Sequence, residues 1–279
     1  PPSSPLSSLP SPLRLVSPAN HFLFTPLLPG TAVGTLEFRA IQEPVRSIEG
    51  LEEYYQAKAE HLDLPNRKVT CVDLFSKKAF QLGFDHLVVA AGCKSNTFGT
   101  PGIESGERKH GRDGGDIFFL KHLYHARHIR NRLVECFERA SNPTLTEAEK
   151  DAFTTFIVVG AGPTSCEFTT ELADFLRSRE MRKWYPELAA RAKIVLVDPG
   201  EHIMSVFDAT LAEYYEAHLK KIGVDLRLGN SVTAVVRSGA RKEEGGGDEE
   251  EGDHGRHHDA APAQAGLVRG GGRRWGSGN

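Results

Sequence analysis

Thr155-Phe156-Ile157-Val158-Val159-Gly160-Ala161-Gly162-Pro163-Thr164-Ser165-Cys166-Glu167-Phe168 is the stretch on which the reading of this sequence turns. Its first five residues form a short β-branched run, the composition of a buried strand. Phe168, Leu172, Phe175 and Leu176 then recur at helical spacing, while Glu167, Glu171 and Asp174 take other faces. Strand, glycine turn and helix in that order are the context a dinucleotide fingerprint requires. Gly160 permits the tight turn. Gly162 lets the backbone approach a pyrophosphate, which then rests on the unpaired N–H groups of the helix N-terminus. The third position is Ser165 where Gly or Ala is usual, and its hydroxymethyl fits with a small helix displacement. A plain turn between strand and helix is the competing reading of the glycines alone.

Working outward, Lys193 to Val197 reads as a second strand ending at Asp198. A carboxylate there hydrogen-bonds a ribose 2′-hydroxyl and repels a 2′-phosphate, which favours NAD over NADP. The gap from Gly160 exceeds the usual spacing of about twenty residues. The excess falls in 177–191, where Pro186 ends one helix. Leu211, Tyr214, Tyr215, His218, Leu219 and Ile222 make one helical stripe that stops at Gly223. His218 reads as a histidine at the edge of the core. Val224, Leu226 and Leu228 alternate with Asp225 and Arg227 as in a half-buried strand. Upstream, Phe84 to Ala91 predicts a buried strand ending at Gly92, where a small residue and a glycine allow close backbone approach to a ligand. Tyr54 to Glu60 and Val69 to Leu74 also read as strands, the second after a Leu64–Arg67 turn. Phe22 to Pro29 is apolar and proline-stiffened, unlike a helix or a pairing strand. It reads equally as a loop against a flat apolar ligand or as a buried connection.

The chain has 279 residues, material for about two ordinary domains. Its net charge of -3 supplies no basic field for phosphate backbones, so no nucleic acid is expected as a partner. No apolar run approaches the length of a membrane span, although surface attachment stays open. Cysteines 71, 93, 136 and 166 form no C-x-x-C pair, which excludes a zinc ribbon or dithiol motif and leaves buried thiols as the expectation. Residues 1–13 are rich in proline and serine, and residues 237–279 in glycine and acid; both ends read as disordered. His254, His257 and His258 lie in that tail with no scaffold to position them, so no metal site is expected. A start internal to a longer protein suits Pro1 better than a transit peptide does.

Asn20 to Pro29 followed by Val33-Gly34-Thr35-Leu36-Glu37 resembles the flavin-contacting segment of the type II NADH dehydrogenases. These are the alternative, non-pumping NADH:quinone oxidoreductases. Ala91 to Gly102, Cys136 to Ala140, Gly160 to Phe168 and Trp184-Tyr185-Pro186 are similar to family segments in the same order. The resemblance covers about residues 14–236. It implies an α/β, Rossmann-like flavoprotein with two dinucleotide-binding domains: a partial FAD-binding domain at 14–152 and an inserted NADH-binding domain at 153–236. NADH would give a hydride to FAD, and electrons would pass to ubiquinone. Thr25, Pro26 and Leu27 would lie against the isoalloxazine, with Ala91 and Gly92 near the flavin's pyrophosphate and ribose. Glu167 would orient the nicotinamide; otherwise it is an exposed first-turn carboxylate favoured by the helix dipole. The resemblance further implies a mitochondrial protein peripheral to the inner membrane, and leaves a homodimer open.

The sequence also departs from the family pattern. The family's first strand and its own G-x-G-x-x-G for FAD have no counterpart before Leu13. Its second FAD motif, quinone-site residues and C-terminal amphipathic helix have none after Val236. Gly106 to Gly115 reads as a polar insertion before Phe119-Leu120-Lys121. Two alternatives follow: an inactive truncated remnant that retains an NAD-binding module, or another flavin-dependent pyridine-nucleotide reductase. The lack of C-x-x-C disfavours disulfide reductases, and a ferredoxin-reductase-like relative would not explain Phe24 to Pro29.

Overall fold

The computed structural model describes residues 12–103 and 116–236. Most of the proline- and serine-rich start, the polar insertion and the acidic tail therefore lie outside the described residues. The chain divides into two compact units, one formed by residues up to 25 with 37–94, the other by 26–36 with the residues from 95 onward.

In the first unit, β1 (Arg14–Val16), β2 (His21–Leu23), β3 (Gln42–Pro44) and β4 (Glu53–Tyr55) are three-residue strands. β1 runs parallel to β4 with Arg14 opposite Glu53, and the two side chains form an ion pair at 2.7 Å. β2 and β3 pair antiparallel. β5 (Ala57–Asp63), β6 (Lys68–Asp73) and β7 (Ala79–Gly83) make an antiparallel meander. Tyr54 anchors this unit. Its ring is buried with the Arg46 guanidinium 5.2 Å above it, and its hydroxyl lies 2.9 Å from the Ala19 carbonyl. The strand expected over Tyr54 to Glu60 is interrupted at Gln56, whose carbonyl accepts the Leu74 N–H at 3.2 Å.

Two expectations fail here for physical reasons. Phe84 to Ala91 forms no strand, and Val88 and Val89 are 86% and 73% exposed. A parallel strand is held by hydrogen bonds to a neighbour, and no strand among the described residues pairs with this run. Phe22 to Pro29, by contrast, does adopt regular structure. Its start pairs as β2, Thr25–Leu27 makes a single 3₁₀ turn, and α1 (Leu28–Val33) follows. Pro29 falls in the first turn of α1, where a missing N–H costs nothing.

The second unit begins with α1, all six of whose residues are buried. It packs on α2 (Leu123–Ala140) and, further along the chain, on the helix after the glycine turn. α3 (Glu147–Phe153) opens with a reciprocal cap. Thr146 Oγ1 accepts the Glu149 N–H at 3.3 Å, and Glu149 Oε2 accepts the Thr146 N–H at 2.8 Å. Next come β8 (Thr155–Val159), α4 (Pro163–Arg177), α5 (Arg179–Trp184), α6 (Pro186–Arg191) and β9 (Lys193–Asp198). α7 (Ala209–Lys221) and β10 (Asp225–Leu228) complete it. The sheet is parallel in the order β10-β9-β8, which places β9 in the middle with Ile194, Leu196 and Val197 buried. α4 buries Cys166, Thr169, Leu172, Ala173 and Leu176. Pro186 begins α6 as well as separating it from α5.

The face of α7 differs from the expected stripe. Ala212 and Leu219 are buried and Tyr215 half-buried, whereas Leu211 and Tyr214 are 60% and 74% exposed. A polar anchor sets this rotation: the Tyr215 hydroxyl lies 2.6 Å from Thr170 Oγ1 and 3.1 Å from the Cys166 carbonyl on α4. Burying Tyr214 in its place would break both contacts. No helix of the described residues is long and apolar enough to cross a membrane.

Candidate functional site

The site lies at the carboxyl ends of β8 and β9, where open parallel sheets take their ligands. β8 runs into Gly160, whose φ of +95° only glycine adopts readily. Its N–H donates to the Val197 carbonyl at 2.8 Å, which fastens the turn to β9. Asp198 then fastens it a second time. One carboxylate oxygen accepts the Ala161 N–H at 2.7 Å, the other the Gly200 N–H at 2.6 Å. One carboxylate thus braces the loops on both sides of the crevice, and each oxygen keeps a lone pair for a further donor.

Gly162 caps α4 in an extended conformation, and a side chain placed there would meet no atom of the described residues, its chain neighbours aside, within 4 Å. The space in front of the helix N-terminus is therefore open, as a pyrophosphate cradle must be. Ser165 Oγ lies 3.7 Å from where a Cβ on Gly160 would stand, so the serine hydroxymethyl is accommodated behind the turn. These two observations show that the residues present fit a bound dinucleotide.

Glu167 lies exposed on the first turns of α4. Partial desolvation of its carboxyl, and then the charge of Glu171, push its pKa above the ordinary glutamate value. Cys166 points the other way. Its thiol donates to the Ala161 carbonyl at 3.5 Å, and burial pushes its pKa up to about 12, with Asp198 and Glu167 adding to the effect. A thiol so far from ionisation is a packing group, not a nucleophile. Among the described residues no group of three or more His, Cys, Asp or Glu could hold a metal ion.

The crevice thus brings together Gly160, Gly162, Ser165, Glu167 and Asp198. Pro26 and Leu27 precede α1, which packs on α4 in the same unit. Thr25, Ala91 and Gly92 belong to the first unit, and all three are exposed there. That unit also holds a cleft of about 480 Å³ lined by Asn20, Arg46, Tyr55, Gln56, Asp73 and Phe80. Sequence reasoning missed two contacts of α4 in the second unit, Thr35 with Glu171 and Tyr215 with Thr170. The i, i+4 spacing of Glu167 and Glu171 was the available signal for Glu171.

A glycine turn between a parallel strand and a helix, braced by an acid closing the next strand, defines a dinucleotide-binding α/β protein. The chain belongs to the pyridine nucleotide-disulphide oxidoreductase family, whose sequence model matches residues 11–256. Within that family it is similar to the external alternative NAD(P)H-ubiquinone oxidoreductase B4 of Arabidopsis thaliana mitochondria. The two are 40% identical over 231 residues, 80% of this chain and 38% of that one. It is 39% identical over 236 residues to a probable NADH dehydrogenase of Dictyostelium discoideum, 83% of this chain and 50% of that one. Among solved structures, NDH2 from Plasmodium falciparum in complex with NADH matches with a TM-score of 0.70 and 26% identity, covering 83% of this chain and 47% of that one. The resemblance to type II NADH dehydrogenases and the Rossmann-like α/β class are thereby borne out. The chain spans half or less of the length of these relatives.

Proposed function

We propose that this chain carries the NADH-binding domain, at 153–236, and part of the FAD-binding domain, at 14–152, of a type II NADH dehydrogenase. The observation that carries the reading is the open helix N-terminus at Gly162, tied by Asp198 to the end of the neighbouring strand. When bound, NADH supplies a hydride that FAD accepts and passes on as electrons to ubiquinone. The protein's part is binding and alignment. The N-terminus of α4 holds the pyrophosphate through backbone N–H groups and the helix dipole. Asp198 accepts from a ribose 2′-hydroxyl with its remaining lone pairs and disfavours a 2′-phosphate.

Glu167, one turn into α4, orients the nicotinamide carboxamide. Thr25, Pro26 and Leu27 provide the surface for the isoalloxazine, and Ala91 and Gly92 the approach to the flavin's pyrophosphate side. The name of the Arabidopsis relative supports ubiquinone as the acceptor and a mitochondrial location, and peripheral contact with the inner membrane belongs to the same reading. Turnover of NADH with a soluble quinone, by the purified chain supplied with FAD, tests the proposal. Quinone-dependent NADH oxidation is the expected result; no turnover at saturating FAD would refute it for this chain.

A further inference from the structure

We propose that Glu171 is a positioning residue for the nicotinamide site: it ties the Thr35 turn, and with it α1, to α4, and places a second negative charge one helical turn from Glu167. The inference rests on the reading of Glu167 given above. Thr35 Oγ1 donates to Glu171 Oε2 at 2.9 Å. The other carboxylate oxygen lies 3.7 Å from where a Cβ on Gly30 would stand, with Leu36 Cδ1 3.3 Å from the same point. The Glu171 carboxylate therefore lies beside Gly30 of α1, at ordinary van der Waals distance from where a side chain would stand.

α1 is gripped from its other side by Arg130 of α2. That guanidinium donates to the Val33 carbonyl and stacks 5.0 Å over the Phe175 ring of α4. α1 follows Pro26 and Leu27 directly, so these two contacts fix Pro26 and Leu27 relative to the helix of the same unit that bears Glu167. α1 contains no titratable residue, α2 presents the Arg130 cation, and α4 itself supplies Cys166, Glu167, Glu171, Asp174 and Arg177, with Tyr215 of α7 and Asp198 at the end of β9 acting on the same cluster. Residues four apart on a helix are neighbours, so ionised Glu171 disfavours ionisation of Glu167. The direction of the Glu167 shift agrees, with Glu171 its second cause after desolvation.

The test uses the full chain with its glutamates ¹³C-labelled at the carboxyl carbon, Glu167 being assigned by the signal lost in Glu167→Gln. In Glu171→Gln, an isostere whose amide oxygen still accepts from Thr35, the Glu167 titration midpoint is expected to fall toward that of an exposed glutamate. In Thr35→Val the charge stays and the tie goes. Amide exchange of residues 30–33 should then quicken roughly fivefold, the loss of one net hydrogen bond, and Thr35→Ser should restore it. An unmoved Glu167 midpoint in Glu171→Gln, or unchanged exchange in Thr35→Val, would overturn the proposal. NADH affinity of Glu167→Gln tests the underlying reading separately: wild-type affinity there would sink the role of Glu167 while leaving the titration result interpretable.

Discussion

Replacing Gly162 by alanine separates the folding role of the glycine turn from its binding role. Gly162 has φ of -76° and ψ of 175°, a backbone conformation open to any L-residue, and an added Cβ meets no atom of the described residues, its chain neighbours aside, within 4 Å. Alanine at a compatible position gains about 0.4–1 kcal/mol from the unfolded state, offset by its poorer capping of a helix. The net change in stability should stay within about 0.5 kcal/mol, or roughly 1–2 °C in Tm for a chain of this size. The methyl does, however, stand in the open space before the N-terminus of α4. It should hold a pyrophosphate away from the backbone donors. Losing one charge-assisted hydrogen bond costs about 1.5–3 kcal/mol, so the NADH dissociation constant should rise roughly tenfold to 150-fold. Differential scanning fluorimetry reads the first quantity and calorimetric NADH titration the second. Unchanged Tm with unchanged NADH affinity would refute the assignment of the pyrophosphate to this turn. A large fall in Tm would show that the space is not open.

Three further outcomes are expected. Asp198→Asn turns an amide NH₂ toward the N–H of either Ala161 or Gly200, which should destabilise the chain by about 1–3 kcal/mol and narrow the preference for NADH over NADPH in paired titrations. Native alkylation at pH 8 should label Cys93, which is exposed, and spare Cys71, Cys136 and Cys166 until denaturant is added. Burial holds the Cys136 and Cys166 thiols up at about 11 and about 12, leaving on the order of a thousandth or less as thiolate. Glu147 joins α3 to α6 by bonding both Lys150, at 2.9 Å, and Arg191, and these bonds lower its pKa from 4.5. A depressed carboxylate stabilises the fold above its unfolded value and loses that contribution as pH falls through the folded one. The stability difference between the wild type and Glu147→Gln should therefore be present at neutral pH and vanish in acid unfolding below about pH 4.

The strand, glycine turn and helix, with the acid that ends the next strand, were legible because their information is local. Gly160, Gly162 and Asp198 announce themselves by their places at strand ends, and the structure brings them together through backbone bonds that any such turn would make. What stayed hidden depends on distant residues. The facing of α7 is decided by the Tyr215 hydroxyl reaching Thr170, a contact across 45 positions that hydrophobic periodicity does not register. Phe84 to Ala91 has a strand's composition, but composition supplies no neighbouring strand. In Phe22 to Pro29 the prolines suggested irregular chain, yet Pro29 occupies the helical position that tolerates it. Glu171 carries no signal in the sequence beyond its distance from Glu167, and Thr35, which binds it, lies 136 residues away.

The most direct measurement is the visible absorption spectrum of the purified chain supplied with FAD, taken before and after NADH is added without oxygen. A retained flavin whose absorption bleaches when NADH arrives is expected, with the bleaching much weakened in Gly162→Ala at the same NADH concentration. A chain that binds NADH yet remains colourless, or a bound flavin that NADH leaves oxidised, would contradict it.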